Sequence, residues 1–310
     1  MRLLVAHPIA ITTAMTARNT SHAIQPEPVG LAQFADLTWL ATDTTRVWLV
    51  PACWIAVGLY AFGLLPLVMT TFLLAVHIGF GTLSNSQGAI HHTCQIVGLV
   101  LLAQWVALLR PFFSKQNPKT VIRDYYAGWK KAVTDGVSSL SEVASRSSYG
   151  ARFIRYSMHA VAAAYVVSAI SKLFKSGGAW ASNVPNIALQ FEKNRQMAFY
   201  NTLEKTADGQ VEPGMAMAQW VLQHPTVAGA MFGAGLLVEL FAFLALLNRW
   251  FALAFGLGLI GLHTMISELM KLGFAFNKQL LAIFFINVPF WIAAVAIQRW
   301  RRDDQIEEAS

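Results

Sequence analysis

Seven stretches of the chain are apolar for nearly as long as a helix needs to cross a bilayer: 47–64, 66–83, 91–109, 151–174, 226–247, 250–270 and 278–297. Crossing about 30 Å of hydrocarbon takes roughly 20 mostly apolar residues. Inside lipid the backbone must satisfy its own polar groups, and a helix does this within each segment. The pattern predicts an all-α integral membrane protein, a bundle of about seven transmembrane helices. Composition agrees, with 55% hydrophobic and 13% charged residues in 310. A soluble fold of this size carries about a quarter charged residues, so a soluble globular enzyme is excluded. The first two stretches form one apolar run, and Pro66 is the natural break because proline fits the first turn of a new helix.

The 20 Phe and 10 Trp fit lipid-facing surfaces and headgroup belts. Net charge is +7, yet the basic residues flank apolar runs and read as topology signals rather than as a nucleic-acid surface, so no nucleic-acid partner is expected. Lys and Arg crowd the 110–150 segment, the turn at Arg249 and the tail at Arg299, Arg301 and Arg302. With alternating spans these places share one side, the cytoplasmic one. The resulting organisation has an N-terminal segment 1–45, a membrane domain 46–302 with a cytoplasmic loop 110–150 and an outer segment 175–225, and a short cytoplasmic tail 303–310. The expected location is the cell membrane, as a multi-pass protein of the bacterial inner-membrane type. Within the N-terminal segment, His7 and Pro8 interrupt a short apolar patch and make a poor signal peptide, while 30–40 has the spacing of an amphipathic interfacial helix. Two cysteines, Cys53 and Cys94, exclude a disulfide scaffold and are read as plain small apolar residues.

Ionisable side chains inside spans are costly and mark functional sites by default. They are His77, His91, His92, His159, Lys172, Glu239, His263 and Glu268. At 1.5 Å per residue, His77, His91, His92, Lys172, His263 and Glu268 fall in the outer half, Glu239 near mid-membrane and His159 in the inner half. Convergence of so many at one level from separate spans is the main signal. Each also has a plainer use: Lys172 can snorkel to headgroups, His263 can form an interhelical hydrogen bond, and Glu268 can be solvated. Glu239, within LLVELFAF, requires a donor on another helix. A metal site from His77, His91 and His92 matches no standard ligand spacing, and none is expected. Gly229, Gly233 and Gly235 in span five and Gly256, Gly258 and Gly261 in span six predict a tight hairpin about Asn248–Arg249.

Three segments carry a resemblance. SAISKLFKSGGAW at 168–180 resembles the "small-x-x-Lys-Leu … Trp" segment of the HTTM (horizontally transferred transmembrane) proteins, whose relatives include the vitamin K-dependent gamma-glutamyl carboxylases. The stretch 238–290, with VELFAFLAL, NRWFALAFGLGLIGLHTMISELMKLGFAF and INVPF, is similar to the pair of spans that follows there. Residues 85–98, with His91 and His92, resemble the start of an earlier span. The resemblance implies a pocket for a quinone-like or other lipid-soluble ligand, with a reduced, vitamin K-like quinone as cofactor and carboxylase- or oxygenase-related chemistry. In it Lys172 would be the base, His92 or His91 the histidine at the quinone, and His263 a later pocket histidine. Glu239, Trp180 and Glu268 would line the ligand site. The carboxylases carry a large C-terminal lumenal domain outside the resemblance, which therefore implies the pocket more than peptide carboxylation. A reading of another class is a non-catalytic membrane partner in maturation, export or immunity of a small peptide or protein, contacted through 175–225.

Overall fold

The computed structural model describes residues 2–20, 23–87, 95–113, 148–202, 213–270, 272–288 and 290–291. These are mostly helical, with no strand among them. The helices are α1 (Arg2–Asn19), α2 (Asp43–Phe62), α3 (Pro66–Asn85), α4 (Gln95–Phe113), α5 (Ser148–Lys175), α6 (Ile187–Thr202), α7 (Pro213–Gln223), α8 (Pro225–Leu240), α9 (Arg249–Met270) and α10 (Ala275–Leu281). A π-helical turn, Ala282–Ile286, continues α10. The chain divides into two compact units, Met1–Val161 with Asn287–Ser310, and Ala162–Ile286.

Among the described residues four helices are long and apolar enough to cross a membrane, or five if a bent pair counts as one span: α2, α3, and the segments Arg152–Lys175 of α5 and Arg249–Glu268 of α9. The described residues thus show four or five of the seven expected spans. The fifth expected span, 226–247, begins just after a sharp bend and forms the second half of a bent helix pair. The two helices of the pair, Ala216–Gln223 and Pro225–Leu240, meet at 99°. The cause is Pro225, whose ring disfavours helical geometry at the preceding residue, and His224 accordingly sits at φ −125°, ψ 55°. Helix α8 then stops at Leu240 and tightens into a 3₁₀ segment, Ala242–Leu246. The apolar helices Gln95–Arg110 and Ala275–Ile286 are shorter than a span. Residues 91–94 of the third expected span and most of 287–297 in the seventh lie outside the described residues, as does most of the 110–150 loop.

In the first unit, α2 is capped by Thr42, whose side chain accepts from the Thr45 backbone N–H, and it closes at Gly63 in a left-handed conformation. The break expected at Pro66 is where α3 begins. The N-terminal region differs from expectation. The apolar patch read as interrupted at His7 and Pro8 belongs to an 18-residue helix, α1, that passes through Pro8 and packs against α2 and α3. Val5, Ile9 and Ala17 are buried. Thr12 donates to the Pro8 carbonyl at 2.7 Å and Thr13 to that of Ile9 at 2.7 Å, so both buried hydroxyls are satisfied inside the helix. The 30–40 stretch, expected as an amphipathic helix, forms two 3₁₀ turns instead, Gly30–Gln33 and Thr38–Ala41. Deeper in this unit, Tyr60 Oη donates to Gln104 Oε1 at 2.7 Å, and Gln104 Nε2 donates to Ser157 Oγ at 3.2 Å. All three side chains are buried. Gln104→Leu leaves the tyrosine hydroxyl without its acceptor, and we expect it to lower stability by about 1–3 kcal/mol in thermal unfolding of the purified protein.

In the second unit, Asn248 Oδ1 accepts from the backbone N–H groups of Trp250 and Phe251 at 2.9 and 3.0 Å, starting α9 out of a tight turn. The expected close approach of glycine-bearing helices is present at particular positions. A Cβ on Gly235 would meet Leu262 Cδ1 at 2.7 Å, and one on Gly258 would meet Val238 Cγ1 at 3.4 Å. Gly256 is different, facing Phe285 Cβ and Ile286 Cγ1 at 3.0 Å and the Ile286 backbone nitrogen at 3.3 Å. Leu262 can swing its methyl aside, but backbone cannot. Gly256→Ala is therefore expected to cost about 1–3 kcal/mol by overpacking. Gly261→Ala, with nothing within 4 Å of the added carbon, should stay within about 0.5 kcal/mol in the same unfolding assay.

Candidate functional site

The polar centre of the second unit is built on three helices. Helix α5 supplies Tyr165 and Lys172, seven residues apart and so on one face. Helix α8 supplies Glu239 and α9 supplies His263. Lys172 Nζ forms an ion pair with Glu239 Oε2. The carboxylate side chain is 4% exposed and the lysine side chain 31%. Glu239 thus meets its donor on another helix. The Lys172 side chain turns to this partner and to the indole of Trp180, with Nζ 5.6 Å from the ring centroid. Trp180 is held in turn by an edge contact with Phe232, at 6.4 Å between centroids. It lies in the turn after α5, where Gly177 and Gly178 take positive φ of 59° and 84° and reverse the chain.

Next to the ion pair, Tyr165 Oη and His263 Nε2 are 2.8 Å apart, both buried. Asn277 at the start of α10 reaches the same hydroxyl. The His263 ring stacks on Phe274 at 4.5 Å between centroids. Lys172 and Glu239 are near enough to act electrostatically on His263 and Tyr165 respectively, so the two pairs form one cluster. Two buried polar atoms in it, His263 Nδ1 and Asn277 Oδ1, have no hydrogen-bond partner among the described residues. A buried donor or acceptor left unmade costs free energy, and each such case calls for an explanation.

Chemically, the cluster can hold a positive charge on Lys172 beside a carboxylate that can accept its proton. It can also hydrogen-bond a small molecule through an imidazole flanked by aromatic faces. Of the expected site residues, Lys172, Glu239, His263 and Trp180 are together. Glu268 is exposed, five residues beyond His263 and about 140° round the helix. His159 is exposed, its Nδ1 2.6 Å from the Arg155 carbonyl. His77 is buried in the other unit. His91 and His92 lie outside the described residues. No group of three or more His, Cys, Asp or Glu with metal-binding placement exists among the described residues. Cys53 is a free, buried thiol, and Cys94 lies outside the described residues.

Sequence reasoning missed Tyr165 and Asn277. Tyr165 was within reach, since it occupies the stripe of α5 two turns before Lys172, but an uncharged side chain draws no attention in a search for ionisable groups. No protein-family model matches the chain, and neither a curated protein nor a solved structure is similar to it.

Proposed function

We propose that this chain is a multi-pass membrane protein whose unit Ala162–Ile286 binds a lipid-soluble ligand and exchanges a proton with it at Lys172, Glu239, Tyr165 and His263. One observation carries the reading: an ion pair between two apolar helices stands beside a buried imidazole that has an unpartnered nitrogen. Charged groups within such helices are expensive and mark ligand or proton sites more often than structural ones.

A reduced quinone, the group the HTTM resemblance implies, suits the acceptors present. His263 Nδ1 and Asn277 Oδ1 can take a hydroxyl hydrogen bond, while Phe274 and Trp180 offer ring faces. When bound, the quinone would supply a weakly acidic hydroxyl. Glu239 holds Lys172 at a fixed place and gives its proton a nearby acceptor. Tyr165 fixes the plane of the His263 ring through Nε2, which leaves Nδ1 to face the ligand. Burial of Glu239 and His263 keeps water out of the exchange.

The test is equilibrium binding of a short-chain reduced naphthoquinone to the protein in lipid nanodiscs. His263→Phe should weaken binding about tenfold or more through the lost hydrogen bond. Lys172→Arg keeps the charge and the pairing to Glu239 but cannot release its proton, so binding persists while proton uptake or release on binding disappears. Equal binding and equal proton exchange in all three proteins would overturn the proposal. The partner reading would then take over, because an ion pair that merely joins α5 to α8 tolerates arginine.

Orientation belongs to the same proposal, with 110–150 cytoplasmic and 175–225 outside. Cysteines placed at Ser139 and Asn201 flank α5 and should react with an impermeant reagent from opposite sides of the membrane. Reaction of both from one side would contradict the assignment of α5 as a span.

A further inference from the structure

The bend at His224–Pro225 also governs where the chain before it runs. Helix α8 has 16 residues and its 3₁₀ extension has 5. At 1.5 and 2.0 Å per residue these supply about 34 Å of helix, enough for about 30 Å of hydrocarbon without α7. A helix at 99° to one that crosses the membrane runs along the surface, not through it. The sequence of α7, PGMAMAQWVLQ, has no charged side chain. At the bend the half-buried Trp220 ring stacks on the exposed His224 imidazole, 5.4 Å between centroids and 22° between planes. Amphipathic rings of this kind collect at headgroup level. Ala216, Gln219 and Leu222, spaced i, i+3 and i+6, form the exposed face of α7. Leu222 before the bend and Val227 after it are 60% and 50% exposed, and the exposed stripe continues along α8 through Met231. The opposite face is anchored: Val221 is buried with Phe191 of α6 and with Ala228 and Phe232 of α8, so packing holds the right angle.

We infer that α7 lies in the membrane plane at the headgroup–acyl boundary of the outer leaflet, and that the partner of its exposed face is phospholipid. Leu222 enters the acyl region, Trp220 and Gln219 meet the headgroups, and α6, which exposes Lys193 and Gln196, stays on the water side. The continuity of the apolar surface decides between lipid and a soluble partner. Val227 and Met231 belong to a helix that the multi-pass reading places in hydrocarbon, and Leu222 carries the same surface round the bend. The placement takes α7 out of the water-facing surface that a peptide or protein partner of 175–225 would use. It rests on the multi-pass reading with α8 among the spans, and makes no use of ligand binding at Lys172 and His263.

The experiment uses the full-length protein with Cys94→Ala in phosphatidylcholine nanodiscs, Cys53 being buried and closed to the label. Nitroxide spin labels are attached singly through Leu222→Cys, Gln219→Cys, Met231→Cys and Lys193→Cys, all at exposed positions where a new side chain displaces nothing. Collision rates are then measured with oxygen, which concentrates in hydrocarbon, and with a neutral nickel chelate, which stays in water. At Leu222 oxygen should exceed the chelate, with the label about 5–10 Å into the boundary. Met231 should lie deeper, Gln219 shallower, and at Lys193 the chelate should exceed oxygen. Chelate in excess at Leu222 with oxygen in excess at Met231 would overturn the in-plane placement and leave α8 as a span. Low collision with both reagents at Leu222 would show protein, not lipid, over the face and would overturn the lipid partner. Chelate in excess at Met231 would remove α8 from the spans and overturn the placement with it. Each of these outcomes is separate from the quinone-binding result, which reads His263 and Lys172.

Discussion

Lys172→Met is expected to destabilise the unit Ala162–Ile286 by roughly 3 kcal/mol, and Glu239→Gln by less than half as much. The asymmetry follows from burial. Removing the lysine leaves Glu239, 4% exposed, as a charge between apolar helices with its partner gone. Removing the carboxylate leaves a lysine side chain that is 31% exposed and long enough to carry its ammonium towards water or headgroups. The double variant Lys172→Met/Glu239→Gln should recover most of the loss, because a buried ion pair replaced at both ends often costs little. A double-mutant cycle on thermal unfolding in one detergent measures the coupling. Equal losses in the two single variants, or additivity in the double, would show that the pair is not formed as described.

Tyr165→Phe carries the second large expectation, a loss of about 1–3 kcal/mol. The hydroxyl it removes is the partner of His263 Nε2 and is also reached by Asn277. Without it the buried His263 ring has neither nitrogen bonded among the described residues, since Nδ1 is already unpartnered. Tyr165→Phe combined with His263→Leu removes both groups and should be milder than the sum of the separate effects, the mark of a direct contact. An additive pair would contradict the 2.8 Å hydrogen bond. If His263 also orients a ligand, Tyr165→Phe loosens the ring and weakens ligand binding together with stability, whereas Gln104→Leu in the other unit lowers stability alone.

Much of this cluster was legible because charge in an apolar helix stands out. Glu239 within LLVELFAF demanded a donor, and Lys172 was the cation on a neighbouring apolar stretch; depth counting nevertheless put them at different levels. It assumed each helix to be straight and fully spanning, and the break at His224–Pro225 with the early end at Leu240 shifts α8 from that ruler. The glycines of spans five and six announced close packing, yet not which contacts would be rigid. Gly235 meets a mobile leucine methyl and Gly256 meets backbone, a distinction that exists only in three dimensions. The N-terminal helix was hidden for a related reason. His7, Pro8, Thr12 and Thr13 lower its apparent hydrophobicity, and only the internal hydrogen bonds of the two threonines show how it is buried against α2 and α3. Uncharged polar partners such as Gln104, Ser157, Tyr165 and Asn277 left no trace in a search for charge.

The central claim is that the Lys172–Glu239–His263 cluster holds a lipid-soluble ligand. It is tested most directly by mass spectrometry of the organic extract of the purified protein. Wild-type protein and the His263→Leu variant are compared at equal folded amounts against lipid from the same membranes. The account predicts one small hydroxyl- or carbonyl-bearing molecule enriched near stoichiometry in the wild type and reduced about tenfold or more in the variant. No enrichment over bulk lipid, or an equal amount retained by His263→Leu, would contradict it.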